Sequence, residues 1–212
     1  EIRNTIELEC EAFNTDPAAS KARRERAWHD YEFFCRTYFP HYVPTAFFSL
    51  FQQFIFKRLP EVIDGPTDGR EVHQAPRGEA KSTYETQLGS LWCIVTGRKH
   101  MIGIIMNTEE QAAEMLESIK AELDTNPRLA MDFPEACGRG RVWQATTIVT
   151  SANGRLGRPG VAFLSVSSVG TDAPSSANMT HHDIRHGQAT TRSSPRWSAA
   201  ASSTPSRLPG LP

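Results

Sequence analysis

Residues 72–83 read Val72-His73-Gln74-Ala75-Pro76-Arg77-Gly78-Glu79-Ala80-Lys81-Ser82-Thr83, and the predicted fold depends on this stretch. A β-prone start, a loop with proline and glycine, and a lysine with two hydroxyl residues predict the order strand, loop, helix. A phosphate-binding loop needs converging backbone N–H groups, a lysine that reaches the β- and γ-phosphates, and a hydroxyl for Mg²⁺. Lys81 and Ser82 supply the lysine and the hydroxyl at that spacing.

The loop differs from the standard phosphate-binding pattern at two positions. That pattern has glycine at its first position and directly before the lysine, where this sequence has Ala75 and Ala80. Within the loop, Gly78 supplies the φ freedom that a side chain restricts. An ordinary surface turn followed by a helix N-cap therefore stays open as an alternative interpretation.

The segments on both sides of the loop favour the phosphate-binding interpretation. We predict a strand over residues 71–75, a helix over 81–96 and a second strand over 101–106. The second strand is apolar throughout, which is typical of a strand buried on both faces of a parallel sheet. A strand, a loop, a helix and a second strand within about 35 residues form a βαβ unit.

The other elements are predicted from caps, helical stripes and β-forming residues. We expect short helices over residues 2–13 and 126–133. We expect three longer helices: one from an N-cap at Ser20 to Pro40, one over 45–59 that Pro60 ends, and one from a capping box of Thr108 and Gln111 to Leu123. We expect strands over residues 141–150, with a turn at Asn153-Gly154, and over 161–166.

Two groups ahead of the loop are candidate ligand contacts. Gln52 or Gln53 can read the edge of an adenine base through its amide, and the alternative is a glutamine on a helix surface. Arg23, Arg24 and Arg26 can contact the phosphates of a nucleic acid, and the alternative is a solvated basic face.

The composition changes near Gly154. Residues 1–150 contain 17 Lys and Arg against 22 Asp and Glu, whereas residues 151–212 contain 6 against 2 and no Lys, Glu or Tyr. We therefore expect disorder from about residue 168 onward. A frameshift, in the gene or in its sequencing, explains the change, and a natural low-complexity tail is the alternative. The run His181-His182-Asp183-Ile184-Arg185-His186 has metal-ligand residue types, which we interpret as coincidence.

The remaining composition points to a soluble protein. The cysteines at positions 10, 35, 93 and 137 include no C-x-x-C pair, so neither a zinc site nor a disulfide framework is indicated. No apolar run approaches the ~18 residues of a membrane span, and the N-terminus lacks a signal-peptide core. We predict a cytoplasmic protein with no membrane contact.

Several stretches, taken in order, carry a resemblance to a known family. They are Phe34-Cys35-Arg36-Thr37-Tyr38-Phe39-Pro40, the loop at 75–83, Asn107-Thr108-Glu109-Glu110-Gln111-Ala112, Glu122-Leu123-Asp124-Thr125-Asn126, and Thr147-Ile148-Val149-Thr150 running into Ala152-Asn153-Gly154. Together they resemble the N-terminal ATPase half of a phage terminase large subunit, the motor that pumps viral DNA into an empty capsid. The resemblance covers residues 20–154, and its order and spacing are more specific than any single stretch.

The resemblance implies an α/β fold, in which a partial RecA-like P-loop ATPase sheet is preceded by helices and followed by a disordered tail. Loops of this family are commonly irregular and carry an extra basic residue, which Arg77 matches. ATP and Mg²⁺ are the implied cofactors. Lys81 would hold the β- and γ-phosphates, Ser82 would hold the metal, and Arg77 would act with Lys81 on the transferring phosphoryl group. The implied nucleotide contacts are Ala75, Pro76, Arg77, Gly78, Glu79, Ala80, Lys81, Ser82, Thr83 and Gln53.

The same resemblance implies the partners and the domain plan. Double-stranded DNA, a portal protein, a small terminase subunit and further copies of the full-length chain are the expected partners, in the host cytoplasm. We expect a helical lead-in over residues 1–60, a partial P-loop ATPase core over 61–166, and a disordered or out-of-frame tail over 167–212.

One implied feature is missing from the sequence. The family places adjacent acidic residues, for magnesium and for activating water, at the end of the strand that follows the Asn153-Gly154 turn. Here the strand at 161–166 is followed by Ser167-Ser168, and no nuclease domain follows it. We therefore expect nucleotide binding with crippled hydrolysis. A helicase-like P-loop ATPase and a non-catalytic helical interaction module remain the alternative functions.

Overall fold

The structure is a computed structural model, and it describes residues 2–14, 16–43, 47–65, 69–153 and 159–168, with the backbone alone for 151–153 and 159–163. The chain divides into two compact units, Glu1–Ala173 and Pro174–Pro212, and every described residue belongs to the first. The described part is mixed α/β, as predicted. The predicted disorder of the tail and the histidine-rich run at 181–186 lie outside the described residues.

Helices make up most of the described chain. They are α1 (Ile2–Glu9), α2 (Pro17–His29), α3 (Tyr31–Tyr38), α4 (Leu50–Asp64), a π-helix (Ser82–Leu88), α5 (Gly89–Thr96), α6 (Glu109–Thr125) and α7 (Pro127–Asp132). Among these described helices, none has both the length and the apolar character that a membrane span requires.

Four strands form one mixed sheet. They are β1 (Met101–Met106), β2 (Val142–Trp143), β3 (Thr147–Asn153) and β4 (Pro159–Ser168), in the spatial order β1-β4-β3-β2. β1 and β4 are parallel, whereas β4, β3 and β2 follow one another in antiparallel pairs. The predicted strand at 161–166 is therefore confirmed as part of β4. The antiparallel pairing of β3 with β4 also confirms that the chain reverses after Asn153.

The predicted helix from Ser20 to Pro40 is wrong in two respects. Its first helix begins at Pro17, because the side chain of Asp16 accepts a hydrogen bond from Ala18 N and the fixed φ of proline suits the first helical position. A second break occurs at Asp30, whose carboxylate accepts from Phe33 N at 2.8 Å and so begins α3. The apolar stripe does not reveal this break, since both helices bury the same side.

Pro60 does not end its helix, contrary to prediction. α4 begins at the capping box of Ser49 and Gln52 and continues through Pro60 to Asp64. Proline removes one backbone donor and crowds the preceding turn, which weakens a helix without necessarily ending it. Ile55 and Phe56 are buried in the core before Pro60, and Leu59 and Ile63, on either side of it, also pack against the core.

The core is centred on α5, in which all eight residues are buried. Trp92 lies fully buried there; its ring centroid is 5.0 Å from that of Tyr31, and its indole N–H donates to Ala27 O at 2.9 Å. α5 packs against β3, and α6 packs against β1 and β4. The predicted helix over 81–96 is thus confirmed, with its first half in π geometry, and Gly97 ends it at a φ of 65°. Thr108 begins α6 as predicted, by accepting a hydrogen bond from Gln111 N, and the short helix predicted over 126–133 is present as α7.

The predicted strand at 71–75 is not formed, so the βαβ unit lacks its first strand. The segment is extended but unpaired, and Val72 is 94% exposed. A strand needs a neighbouring edge for its backbone groups, and the ion pairs of His73 hold this segment beside the π-helix instead.

β1 is not buried on both faces, which also corrects the prediction. Within the described sheet it lies at the end and pairs with β4 alone. Ile104 is buried, whereas Met101 is 76% exposed and Ile105 is 67% exposed. The apolar run therefore marks an edge strand with one open face. The predicted strand over 141–150 is in fact two strands, β2 and β3, joined by a tight turn in which Gln144 N donates to Thr147 O.

Candidate phosphate-binding site

The loop ahead of Lys81 contains two residues in the left-handed region of backbone space. The φ of Gly78 is 94° and that of Ala80 is 52°, the one positive φ among the described non-glycine residues. Ala80 occupies the position at which the standard pattern has glycine. Alternating right- and left-handed backbone conformations turn successive N–H groups to one side, and such a concavity binds anions. The two positive φ values are a feature that this loop shares with such concavities.

The predicted lysine and hydroxyl lie together at the start of the helix. Helical geometry runs without interruption from Lys81 through the π-helix and α5 to Thr96. The first backbone N–H groups of a helix have no partner within it and face an incoming anion. Lys81 and Ser82 are exposed at this end, as is Arg77 in the loop. Helices that contain π geometry occur frequently at functional sites.

Lys81 is held in place by the backbone. Its Nζ donates to His73 O at 3.3 Å, and within the described residues no carboxylate forms an ion pair with it. The positive charge is therefore not neutralised by the chain. A lysine held at its tip by a carbonyl, with an open face toward the loop, can bind an oxygen of a phosphate.

Glu79 has a structural contact. Its carboxylate accepts a hydrogen bond from Ser49 Oγ, and its carbonyl lies 3.5 Å from Gln52 Nε2. Both partners belong to the capping box that begins α4. The contact ties the loop to α4 and turns a negative side chain, which would repel phosphate, toward the helix.

Gln53, the predicted adenine contact, is not brought to the loop. Its amide donates to Phe48 O at 2.9 Å on the exposed side of α4. Gln52 is the glutamine that faces the loop, through Glu79. Adjacent positions on a helix point about 100° apart, so only one of the two can do so.

The sequence interpretation missed a charged network beside Lys81. His73 Nδ1 lies 2.9 Å from Glu85 Oε1, and His73 Nε2 lies 3.0 Å from Glu71 Oε2. Arg58 also forms hydrogen bonds with Glu71, and together with His73 it holds the pKa of that carboxyl below its ordinary value. The network fixes the segment whose carbonyl receives Lys81. Glu71 and His73 are neighbours in sequence, but Arg58 and Glu85 lie on the helices before and after them, and no local motif links the four.

A cleft of about 280 Å³ lies further along the same helix. It is lined by Glu85, Thr86 and Ser90 on one side and by the backbone and side chains of Ile102–Met106 in β1 on the other. None of the loop residues 75–83 lines it. The loop itself is open to solvent, so a nucleotide would place its phosphates on a surface and not in this cleft.

The arginines of α2 are engaged within the chain. Arg23 forms a two-bond ion pair with buried Asp132, with both distances at 2.8 Å, and Arg24 pairs with Glu135. Both partners lie in or just after α7. These charges hold α2 against α7, which disfavours a role for them in contacting nucleic acid.

β4 ends without a carboxylate in the described residues. Ser168 is paired with Met106 across the parallel β1–β4 ladder, so both strands end at the same edge of the sheet. Ser167 and Ser168 occupy the places where the resemblance implies acidic residues.

Comparison with known proteins identifies no relative: no protein-family model, no curated protein and no solved structure matches the chain. Within the described residues, no group of three or more His, Cys, Asp or Glu side chains can hold a metal ion.

Proposed function

We propose that this chain carries the nucleotide-binding part of a DNA-packaging terminase large subunit, with a RecA-like arrangement around its loop. The observation that supports it most directly is the left-handed φ at Gly78 and Ala80 immediately before an exposed lysine at a helix start. An ordinary surface turn has no need of positive φ at an alanine, because that conformation costs about 1–2 kcal/mol.

The residues divide the binding of ATP among them. The loop N–H groups and the first helical N–H groups hold the phosphate oxygens, and Lys81 adds a positive charge at the β- and γ-phosphates. Ser82 provides one oxygen to Mg²⁺. Arg77, exposed in the loop, neutralises charge on the γ-phosphate. Mg²⁺, when bound, would offset the negative charge of the phosphates.

The proposal separates binding from hydrolysis. Phosphoryl transfer to water needs a carboxylate or amide that orients the water, together with metal ligands at a strand end. Ser167 and Ser168 lie at the end of β4 and supply neither. We therefore expect this chain to bind ATP without turning it over at the 1–100 per second that is typical, to order of magnitude, of phosphoryl-transfer enzymes such as kinases. Double-stranded DNA, a portal ring, a small terminase subunit and self-association belong to the proposal as partners of a full-length motor in the host cytoplasm.

The test is nucleotide affinity, measured with a fluorescent ATP analogue and Mg²⁺ on the wild type, Lys81→Ala and Lys99→Ala. Lys99 is an exposed lysine just beyond the opposite end of the helical stretch 81–96, so it controls for loss of charge. We expect Lys81→Ala to weaken binding about tenfold or more, which corresponds to about 1.4 kcal/mol, and Lys99→Ala to leave it unchanged. Equal affinities in all three proteins would contradict the proposal.

A helical interaction module is the second candidate, and one observation favours it. Phe47 is 89% exposed and Leu50 is 83% exposed, and the half-exposed Phe54 lies further along α4. Exposed apolar side chains of this size are common at protein–protein contacts. This candidate predicts no affinity for nucleotide. A helicase-like ATPase would use the same loop chemistry as a terminase. Binding to a small terminase subunit or a portal ring would distinguish a terminase from a helicase-like ATPase.

A further inference from the structure

Cys10, His41 and Glu122 form a linked group far from the phosphate-binding loop in sequence. Cys10 Sγ lies 3.0 Å from His41 Nδ1, and His41 Nε2 lies 2.8 Å from Glu122 Oε1. A thiol, an imidazole and a carboxylate in this order are the arrangement in which a histidine activates a cysteine. The three come from the end of α1, from the turn after α3 and from α6.

The carboxylate end of the group is fixed in place. Glu122 is fully buried, and its second oxygen, Oε2, accepts from Asn126 Nδ2 at 2.8 Å. Asn126 also donates to Tyr38 O at 2.9 Å. The Glu122 carboxylate therefore cannot rotate away from His41, and it sets which ring nitrogen faces the cysteine.

The buried carboxylate keeps His41 charged. Burial alone lowers the pKa of His41, but the hydrogen bonds with Cys10 and Glu122 outweigh it and raise that pKa to about 9. Both ring nitrogens of a protonated histidine are hydrogen-bond donors. The Nδ1–H of His41 therefore donates a hydrogen bond to Cys10 Sγ. The other polar neighbour of Sγ is Tyr38 O, at a long 3.9 Å. Tyr42 packs on the His41 ring, with 4.3 Å between the ring centroids, and its own pKa is raised to about 12 by burial and by Glu122.

The Cys10 sulfur is buried, but it lies in a small apolar cluster and not in the main core. Cys10 is 2% exposed, and its apolar cluster consists of Ile6, Cys10 and Ala121. α1 has eight residues, of which Ile6 alone is buried. A small helix with so few buried contacts opens locally at low free energy. The reagent that reaches Sγ must be close to water in size.

We propose that Cys10 is a peroxide-reactive cysteine, activated by His41 and with Glu122 as the positioning residue. The thiolate sulfur attacks one oxygen of hydrogen peroxide, so that an S–O bond forms and the O–O bond breaks. Sulfur is oxidised by two electrons to a sulfenic acid, and peroxide is reduced to hydroxide. The hydroxide takes the proton from His41 Nδ1 and leaves as water. This site is independent of the proposed nucleotide function.

The chain contains its own controls, because its other three cysteines lack a histidine partner in the described structure. Cys35 and Cys93 are buried, and Cys137 is partly exposed. Burial raises the pKa of the Cys93 thiol and of the Cys137 thiol to about 12, and that of Cys35 further. Cys137 is therefore more accessible than Cys10 but less activated. If accessibility controls the reaction, Cys137 reacts first; if activation by His41 controls it, Cys10 reacts first.

The test is brief exposure of the folded protein to hydrogen peroxide, removal of the peroxide, and then denaturation in the presence of dimedone, followed by peptide mass spectrometry of all four cysteines. We expect Cys10 to be labelled at least about tenfold faster than Cys137. Labelling of Cys137 before Cys10 in the wild type would overturn the proposal.

Two variants test the roles of the partners. His41→Asn is expected to reduce Cys10 labelling to the level of Cys137, and an unchanged rate would show that opening of α1 alone explains the reaction. Labelling of Cys35 and Cys93 reports any unfolding caused by the substitution. Glu122→Gln is expected to make the Cys10 rate rise steeply with pH between about 6 and about 8, where the wild-type rate is nearly flat. If the labelling rate of Cys10 in the wild type itself rises steeply with pH over this range, activation of Cys10 by His41 is contradicted, and no variant is needed to show it.

Discussion

Ala80→Gly is expected to stabilise the protein, although replacing alanine by glycine usually does the opposite. Ala80 has a φ of 52°, and an L-residue with a Cβ pays about 1–2 kcal/mol to adopt the left-handed region. Glycine adopts it freely but loses roughly 0.4–1 kcal/mol more backbone entropy on folding. The difference leaves a net gain of about 0.5–1 kcal/mol.

Two further substitutions in the same loop provide matched controls. Ala75 is the other alanine at a glycine position of the standard pattern, and its φ is not positive. Ala75→Gly should therefore show only the entropy loss, a destabilisation of about 0.4–1 kcal/mol. Gly78 has a φ of 94° and open space around its Cα, so Gly78→Ala should cost about 1–3 kcal/mol through backbone strain alone.

The assay is urea unfolding followed by tryptophan fluorescence, since buried Trp92 reports on the core. With an m-value of about 2 kcal/mol/M, a gain of about 0.75 kcal/mol moves the midpoint of Ala80→Gly up by roughly 0.4 M. The expected order of stability is Ala80→Gly, then the wild type, then the two other variants. If Ala80→Gly is destabilised as much as Ala75→Gly, the left-handed loop and the phosphate cradle derived from it are refuted.

Two further predictions concern buried charges. Asp132→Asn leaves Arg23 without its partner and should destabilise by about 3–5 kcal/mol in urea unfolding, whereas Glu135→Gln, at a partly exposed pair, should cost less than about 1 kcal/mol. Burial raises the pKa of Asp132, but hydrogen bonds from Arg23 outweigh it and hold that pKa below its ordinary value. The stabilisation of the fold by the ionised Asp132 carboxylate is thus fully present above the ordinary carboxyl pKa. It is lost as the pH falls through the lower pKa that Asp132 has in the folded state. His41, whose pKa is raised to about 9, contributes stability that is complete below about pH 6.5 and lost as the pH rises through 9; His41→Asn should flatten the alkaline side of a stability–pH curve, and an unchanged slope would assign it to other groups.

Local signals predicted the helices better than their boundaries. The capping residue Thr108 was found because a cap acts within three or four residues of itself. The cap predicted at Ser20 is wrong, because Asp16 followed by proline begins the helix. Asp30 interrupts an apolar stripe that reads as one helix, and its capping bond to Phe33 N begins the next helix.

The sheet could not be predicted to the same depth. Whether a β-prone segment becomes a strand depends on an available edge far away in the sequence. Residues 71–75 have the composition of a strand, yet the ion pairs of His73 with Glu71 and Glu85 hold them apart from the sheet. The apolar run of β1 is compatible with full burial and with an edge position alike. Only the pairing with β4 decides between them.

The position of the candidate residues was predictable, whereas their contacts were not. Lys81 and Ser82 lie exposed at the start of a helix, as the local pattern predicts, and their role in phosphate binding stays a prediction. The carbonyl of His73 that receives Lys81, and the network behind it, depend on side chains that the sequence does not connect. The group of Cys10, His41 and Glu122 was missed for the same reason, since its members lie on three separate elements.

Under the proposed function, binding and catalysis place different demands on this chain. Holding a triphosphate needs backbone N–H groups and a cation, which the loop with its left-handed Ala80 and the exposed Lys81 provide from one continuous segment. Hydrolysis needs groups that act more strongly on the transition state than on bound ATP, and these must come from a second strand aligned with the loop. In the described sheet β4 is the parallel neighbour of β1, and the hydroxyls of Ser167 and Ser168 at its end cannot replace carboxylates as metal ligands or bases. The proposal is therefore that the chain holds ATP and leaves it intact.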